Sequence, residues 1–482
     1  MIRHVKWLSI TLLVLAGCQP IPYRSAEFAG GEGCRAVYNR VDDLKEDGIS
    51  EADRNSPCWQ RAHEARDRHD LFTIEFDDQG WVQGSARSAR DKHHENDYLD
   101  HLGQQLGQIY EDNRHRGLTL VVFVHGWHHN ARADDSNVRD FRRLLDEVAH
   151  AENRATGGGL GRRVVGLYVG WRGESLPVDY LSDITFWNRK AAAERVAQGS
   201  VRELFARLDR VRDEACLKKG EPNIRLLTIG HSFGGLITYN ALSSELLRSA
   251  ARADTGNHAT RLGDLVVIVN PAFEGTRYEP LHVAGQRPPA YAAKQLPVVI
   301  VATSRADLAT GLAFPAARVF STLFETQSWD QWLAGLSTVG HSDRYTTHQL
   351  AVCGKNDAAC RAACPAPEVK DRVYRKTTLK ALDDRLAVER AHMAGILERG
   401  VGSQEYLCGQ LKLTATDHWT PKDNPFWVVS TSSDIMDGHN DIFNNYFVGF
   451  IRQVYLGVLM QETAEGPARA CPSGQPAGGL KR

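Results

Sequence analysis

Residues 226–236, L-L-T-I-G-H-S-F-G-G-L, decide the fold. The apolar run over 223–229 reads as a buried strand, and 236–247 (L-I-T-Y-N-A-L-S-S-E-L-L) repeats apolar residues at helical spacing. Between them Gly230, Ser232 and Gly234 fit G-x-S-x-G, a sharp strand-to-helix corner that leaves a serine hydroxyl exposed at the end of a sheet. Glycine is needed on either side because the helix backs closely onto the strand, where a Cβ would collide. An ordinary glycine turn is the bland alternative. The strand before the corner and the helix after it argue against that.

Outward from this corner, strand and helix patterns alternate. Apolar runs at 70–76, 117–124, 163–169, 264–270, 296–303 and 426–430 read as further strands. The run at 117–124 (G-L-T-L-V-V-F-V) is nearly continuous, the mark of a strand covered on both faces. Helical periodicity is expected over 98–113, 135–149, 188–212 and 441–459. Such alternation predicts an α/β fold, a mostly parallel sheet with helices on both faces, and active groups at the carboxyl ends of its strands.

The strand ending at Val124 runs into His125-Gly126-Trp127. A serine attacking a carbonyl builds negative charge on oxygen, so two N–H groups must already point there. The candidates are the backbone N–H of Phe233, just after the nucleophile, and of Trp127, in the loop after the earlier strand. The serine also needs a base held by a carboxylate, in the chain order Ser, acid, His. Asp307 follows a strand end and is the candidate acid, with Glu274, Asp434 and Asp437 as rivals. His439, in the turn Asp437-Gly438-His439 after the last strand, is the candidate base; His341, His348 and His418 are its rivals. His231 is read as part of the turn. Trp171 and Arg172, after another strand end, are candidates for the pocket border.

Segments V-F-V-H-G-W, Y-V-G-W-R-G and I-G-H-S-F-G-G, with Asp307 and the turn at 437–441, resemble the α/β-hydrolase superfamily, in particular its bacterial esterases, over roughly 71–459. The resemblance implies hydrolysis of carboxylic esters, small-molecule or lipid, through an acyl-enzyme, with no metal or organic cofactor. A thioesterase, amidase or acyltransferase would use the same site, and a non-catalytic envelope binding protein would keep only the fold. The interval between Asp307 and His439 is long. Residues 309–425 are too many for a structureless loop and predict a helical cap inserted before the last strand. In it Phe314, Phe320, Phe324, Trp329 and Trp332 read as core or as an acyl pocket, and the charged stretch 369–397 as a helix on the cap's surface.

The chain has 482 residues, and its 42% hydrophobic and 24% charged residues are ordinary for a globular protein. The formal net charge of −1 gives no bulk electrostatic case for nucleic-acid binding. At the amino terminus Arg3, His4 and Lys6 precede an apolar run over 7–16, too short for a permanent span, and then Leu15-Ala16-Gly17-Cys18. This resembles the bacterial lipobox, which implies a signal peptide over 1–17, lipidation of Cys18, and, with Gln19 next, an outer-membrane anchor facing the periplasm. Export makes the other eight cysteines disulfide candidates: Cys34 with Cys58, and pairs among Cys353, Cys360, Cys364 and Cys408. A zinc site at Cys353, Cys360 and Cys364 is the sharper alternative. The expected division is a tether and extension over 18–68, a hydrolase domain over 69–308 and 426–462, the cap between them, and a tail over 463–482.

Overall fold

The computed structural model describes residues 23–24, 34–42, 50, 56–83, 98–155, 160–173, 182–217, 224–253, 263–286, 291, 294–322, 326, 328–364, 379–416, 421 and 423–465. Cys18, the signal peptide, the tail beyond 465, His418 and Phe324 lie outside the described residues. No described helix is long and apolar enough to cross a membrane.

Eleven strands form one sheet: β1 (His63–Ala65), β2 (His69–Phe76), β3 (Leu118–Val124), β4 (Arg163–Trp171), β5 (Ile224–His231), β6 (Leu265–Val269), β7 (Val299–Ser304), β8 (His348–Val352), β9 (Gln404–Leu407), β10 (Leu411–Ala415) and β11 (Phe426–Thr431). Their order is β1-β2-β4-β3-β5-β6-β7-β11-β8-β10-β9. Pairing is parallel from β2 through to β8 and antiparallel only at the two edges. From β3 the chain winds one way to β4, and from β5 the other way to β6. Winding therefore reverses between β3 and β5, the point at whose carboxyl ends open α/β sheets place their functional groups.

Alternation along each strand feeds two cores. Leu118, Leu120, Val122 and Val124 of β3 face one side, with Val165, Leu167 and Val169 of β4 and Val266 and Ile268 of β6. There they meet α2 (Tyr98–Asp112), α4 (Ser182–Gln198), α5 (Ser200–Leu217), α6 (Phe233–Ala253) and α7 (Glu279–Gln286). Val121 and Phe123 face the other side, with Val164, Tyr168, Val267 and Val269, against α3 (Ser136–Ala155), α11 (Leu379–Arg399) and α12 (Asn445–Glu465). A continuous apolar strand is thus two interleaved apolar faces.

Three expectations change. The single helix over 188–212 is two helices, because at Gly199 the backbone of Gly80 comes so close that a Cβ would sit 2.5 Å from the Gly80 oxygen. The segment 309–425 is not a helical cap alone: β8, β10 and β9 continue the sheet in its own plane beyond β11. Within it α8 (Phe314–Thr322) and α9 (Trp329–Leu336) stand near the carboxyl rim, while α11 buries Leu382, Leu386, Met393 and Ile396 rather than lying on a surface. The segment before β2 does not hang free where it is described. Helix α1 (Cys34–Asp42) is joined to Cys58 by a disulfide, Tyr38 packs edge-on against Trp59, and Arg24 is buried beside Glu64.

Disulfides Cys353–Cys360 and Cys364–Cys408 fasten the short helix α10 (Ala358–Ala363) to the edge strands. They consume all three thiols of the zinc alternative, which is thereby excluded.

Candidate active site

Ser232 lies between β5 and α6 with φ +56°, a left-handed conformation rare for a residue with a side chain. It is buried rather than exposed as the corner pattern predicts, because the loop bearing His439 and the loop after β3 cover it. Its surroundings fix that corner. Its N–H donates to Val269 O (2.9 Å), and its carbonyl accepts from the N–H groups of Leu236 and Ala272, both at 3.2 Å. A Cβ on Gly230 would lie 2.5 Å from Thr238 Oγ1, and one on Gly234 only 2.1 Å from Val124 O. The two glycines are therefore a packing requirement.

His439 accepts the Ser232 hydroxyl at Nε2 (2.8 Å) and donates from Nδ1 to Asp307 Oδ2 (2.8 Å). One tautomer satisfies both contacts. Three residues from three different strand ends meet here, 207 and 132 positions apart. The Asp307 side chain is sealed from solvent, whereas that of His439 keeps 21% of its surface exposed. Burial alone would raise the pKa of Asp307. The hydrogen bonds from His439 and from Thr310, through its hydroxyl and its N–H, outweigh that and hold the carboxyl below its usual range. Ala309 N–H adds a further bond at 2.9 Å.

The loop bearing His439 is pinned from behind. His231 donates from Nε2 to the His439 carbonyl (2.9 Å), Asn270 Nδ2 donates to the same oxygen (2.9 Å), and Ser304 Oγ donates to Met436 O (2.6 Å). Asn270 is oriented by accepting Ser304 N–H at 2.9 Å and itself sits at φ +44°. Burial, followed by the nearby His439, drives the pKa of His231 well down, so His231 is a neutral brace. The sequence reading treats His231 as turn geometry and passes over Asn270 and Ser304. Their position right at strand ends is the signal that was present.

The loop after β3 closes over the serine. A Cβ on Gly126 would be 2.8 Å from the Ser232 Cβ and 2.9 Å from His231 Nδ1, so only glycine allows the approach. His125 shapes this loop: Nδ1 donates to Gly126 O (2.8 Å), Nε2 accepts Trp171 N–H (3.1 Å), and Trp171 Nε1 donates back to His125 O (2.8 Å). Burial pushes His125 down to about 4, so it stays neutral and keeps this wiring. Trp171 is thus a buried strut, while Arg172 is exposed. Trp127 and Phe233 lie ring to ring at 6.2 Å, with Phe186 5.6 Å from the former and 5.2 Å from the latter. Phe233 opens helix α6, whose first N–H groups have no intrahelical acceptor and carry the positive end of the helix dipole.

The rivals go elsewhere. Glu274 is buried in ion pairs with Lys190 (2.9 Å) and Arg277 (2.7 Å). Burial opposes its ionisation, but those cations hold it down at about 2. Asp434 and Asp437 are exposed. His341 Nε2 donates to Thr310 Oγ1 (3.1 Å), behind the acid, and His348 is buried in β8 against Trp427. Of the aromatics in 309–425, Phe314 is buried near Phe186 (6.2 Å), and Trp329 is exposed, stacked on Trp332 at 4.9 Å.

No family model, curated protein or solved structure matches the chain, so the reading of this site rests on its geometry.

Proposed function

We propose that the protein is a serine hydrolase of carboxylic esters on an α/β-hydrolase fold, held on a bacterial envelope membrane through acyl chains at Cys18. The observation that carries the reading is the unbroken relay from the Ser232 hydroxyl through His439 to Asp307, on a strained corner at the carboxyl ends of a parallel sheet. Ser232 Oγ attacks the ester carbonyl as its proton passes to His439 Nε2. The imidazolium that results is stabilised by Asp307, which keeps its charge. The N–H groups of Trp127 and Phe233 take the oxyanion, and a donor of this kind lowers the barrier by about 3 kcal/mol. His439 then gives its proton to the departing alkoxide, and water attacks the acyl-Ser232 by the same relay in reverse. The three disulfides among the described residues support an oxidising compartment.

Ser232→Ala is expected to cut turnover of a soluble ester such as 4-nitrophenyl butyrate by about 10⁴ to 10⁶ and leave the fold intact. A fluorophosphonate should label Ser232 of the wild type and nothing in the variant. Retained turnover in Ser232→Ala, or a wild-type chain indifferent to the label, overturns the reading. Parallel ester, thioester and amide substrates then separate the acyl-transfer classes.

A further inference from the structure

We infer that the carboxyl rim of the sheet, with the mouth of the Ser232 site, faces the bilayer in which Cys18 is anchored, and that the substrate is an ester presented in that bilayer. The inference rests on the proposed ester hydrolase and on lipidation of Cys18.

Its first support is where the chain leaves the body. Arg24 is buried: its N–H donates to Glu75 Oε1 (2.7 Å), its Nε to Ala131 O (2.8 Å) and its Nη1 to Trp59 O (2.6 Å). Tyr23 N–H is held by the other oxygen of Glu75 at 3.1 Å. Glu75 is next to last in β2, and Ala131 lies in the same loop as Gly126, so the exit point is on the carboxyl rim. Only six residue steps separate Cys18 from Arg24, a reach of about 20 Å at full extension. Strand β2 has 8 residues and spans about 27 Å. An arm that short cannot pass along the sheet and turn the opposite rim to the membrane.

The second support is independent of the arm. Eight large apolar side chains stand exposed among the described residues, and six are on this rim: Tyr23, Trp81, Leu308, Leu312, Trp329 and Leu333. Leu308, Leu312 and Trp329 are 71%, 66% and 68% exposed, and Leu308 adjoins the buried Asp307. Tyr23 and Trp81 stand at the β2 side, three strands or about 14 Å from β5. The other four stand at the β7 side, two strands or about 10 Å from β5. Ser232 therefore sits between two apolar footings. Exposed Asp434 and Asp437 share the rim with exposed Arg172 and Arg305, so these charges offset and apolar burial and the anchor supply the contact.

The test uses the full lipidated chain in phosphatidylethanolamine/phosphatidylglycerol vesicles carrying a fluorogenic long-chain ester. Wild type should cleave the ester of its own vesicle about tenfold faster than the same ester in added protein-free vesicles. A flexible Gly/Ser insert of about 20 residues after Gln19 should remove most of that advantage without changing turnover of soluble 4-nitrophenyl butyrate. Equal cleavage of own and added vesicles, indifference to the insert, or a chain that does not float with the vesicles overturns the inference. Should the soluble ester and the fluorophosphonate both fail, the hydrolase reading falls and the substrate half of the inference falls with it. Orientation is then read without chemistry: in Ser232→Ala, amides of 308–312 and 329–336 should gain exchange protection on vesicles and lose it in Leu312→Asp/Trp329→Asp. No gain of protection overturns the orientation as well.

Discussion

Asp307 and Glu64 are both fully buried carboxylates, yet their surroundings differ in kind. Glu64 is enclosed by guanidinium groups: Arg142 at 2.6 and 3.0 Å, Arg66 at 2.9 Å and Arg24 at 3.3 Å. Burial pushes its pKa up, but the three arginines overcome that and hold it far below the carboxylate range. Asp307 has one ionisable hydrogen-bond partner, His439, besides the hydroxyl and N–H donors of 309–310. The arginines cannot give up their charge, so the Glu64 cluster is permanent and serves to join the amino-terminal segment to α3. Histidine can change charge, so in the proposed relay the carboxylate beside it would stabilise a transient imidazolium.

That contrast is broken first at Asp307. Asp307→Asn should lower ester turnover by about 10⁴, because an amide neither holds the Nδ1–H tautomer nor stabilises the imidazolium. Circular dichroism should show a native fold; turnover within tenfold of wild type would remove Asp307 from the relay. Glu64→Gln should do the opposite. It strands three buried guanidiniums and should cost about 3 kcal/mol in denaturant unfolding, with turnover of the folded protein unchanged. An unaltered midpoint would mean that the cluster contributes nothing net.

The smallest expected effect concerns pH. Glu64 and Asp307 have folded pKa values below their unfolded ones, so their stabilisation is present above pH ~4 and is lost as pH falls through the folded values. Buried His125 and His348 are each pushed down to about 4 by burial, so the unfolded chain takes up their protons first. Stability should therefore begin to fall already between pH ~6.5 and 4, before the carboxylates matter. Calorimetry at pH 7 and pH 5 should show a drop in Tm that is smaller in His348→Phe. An equal drop would assign the loss to other groups.

Strand and helix alternation was readable because a doubly covered strand is apolar throughout and an amphipathic helix is not. The fold class follows from that pattern. Placement that depends on distant chain is not legible in the sequence. Nothing in residues 348–352 or 404–415 says that they add to the sheet edge, since short polar-alternating strands look alike wherever they pair. Helix α11 looked like a surface helix because its charges outnumber its four buried apolar positions, which only the neighbouring α3 and α12 make necessary. His231 does belong to the turn, closing β5 beside the serine; what the sequence leaves illegible is the carbonyl 208 residues away that its ring braces.

By itself, then, the sequence determined the corner at Ser232. Glycines at 230 and 234 are a local demand, written in the volume of a missing Cβ, and the apolar period around them is local too. The sequence also narrowed the base and the acid to a few candidates led by His439 and Asp307; the tertiary structure decided among them and showed where the amino-terminal arm leaves the body. Hydrogen bonds reach about 3 Å, and only folding brings residues from separate strand ends within that distance.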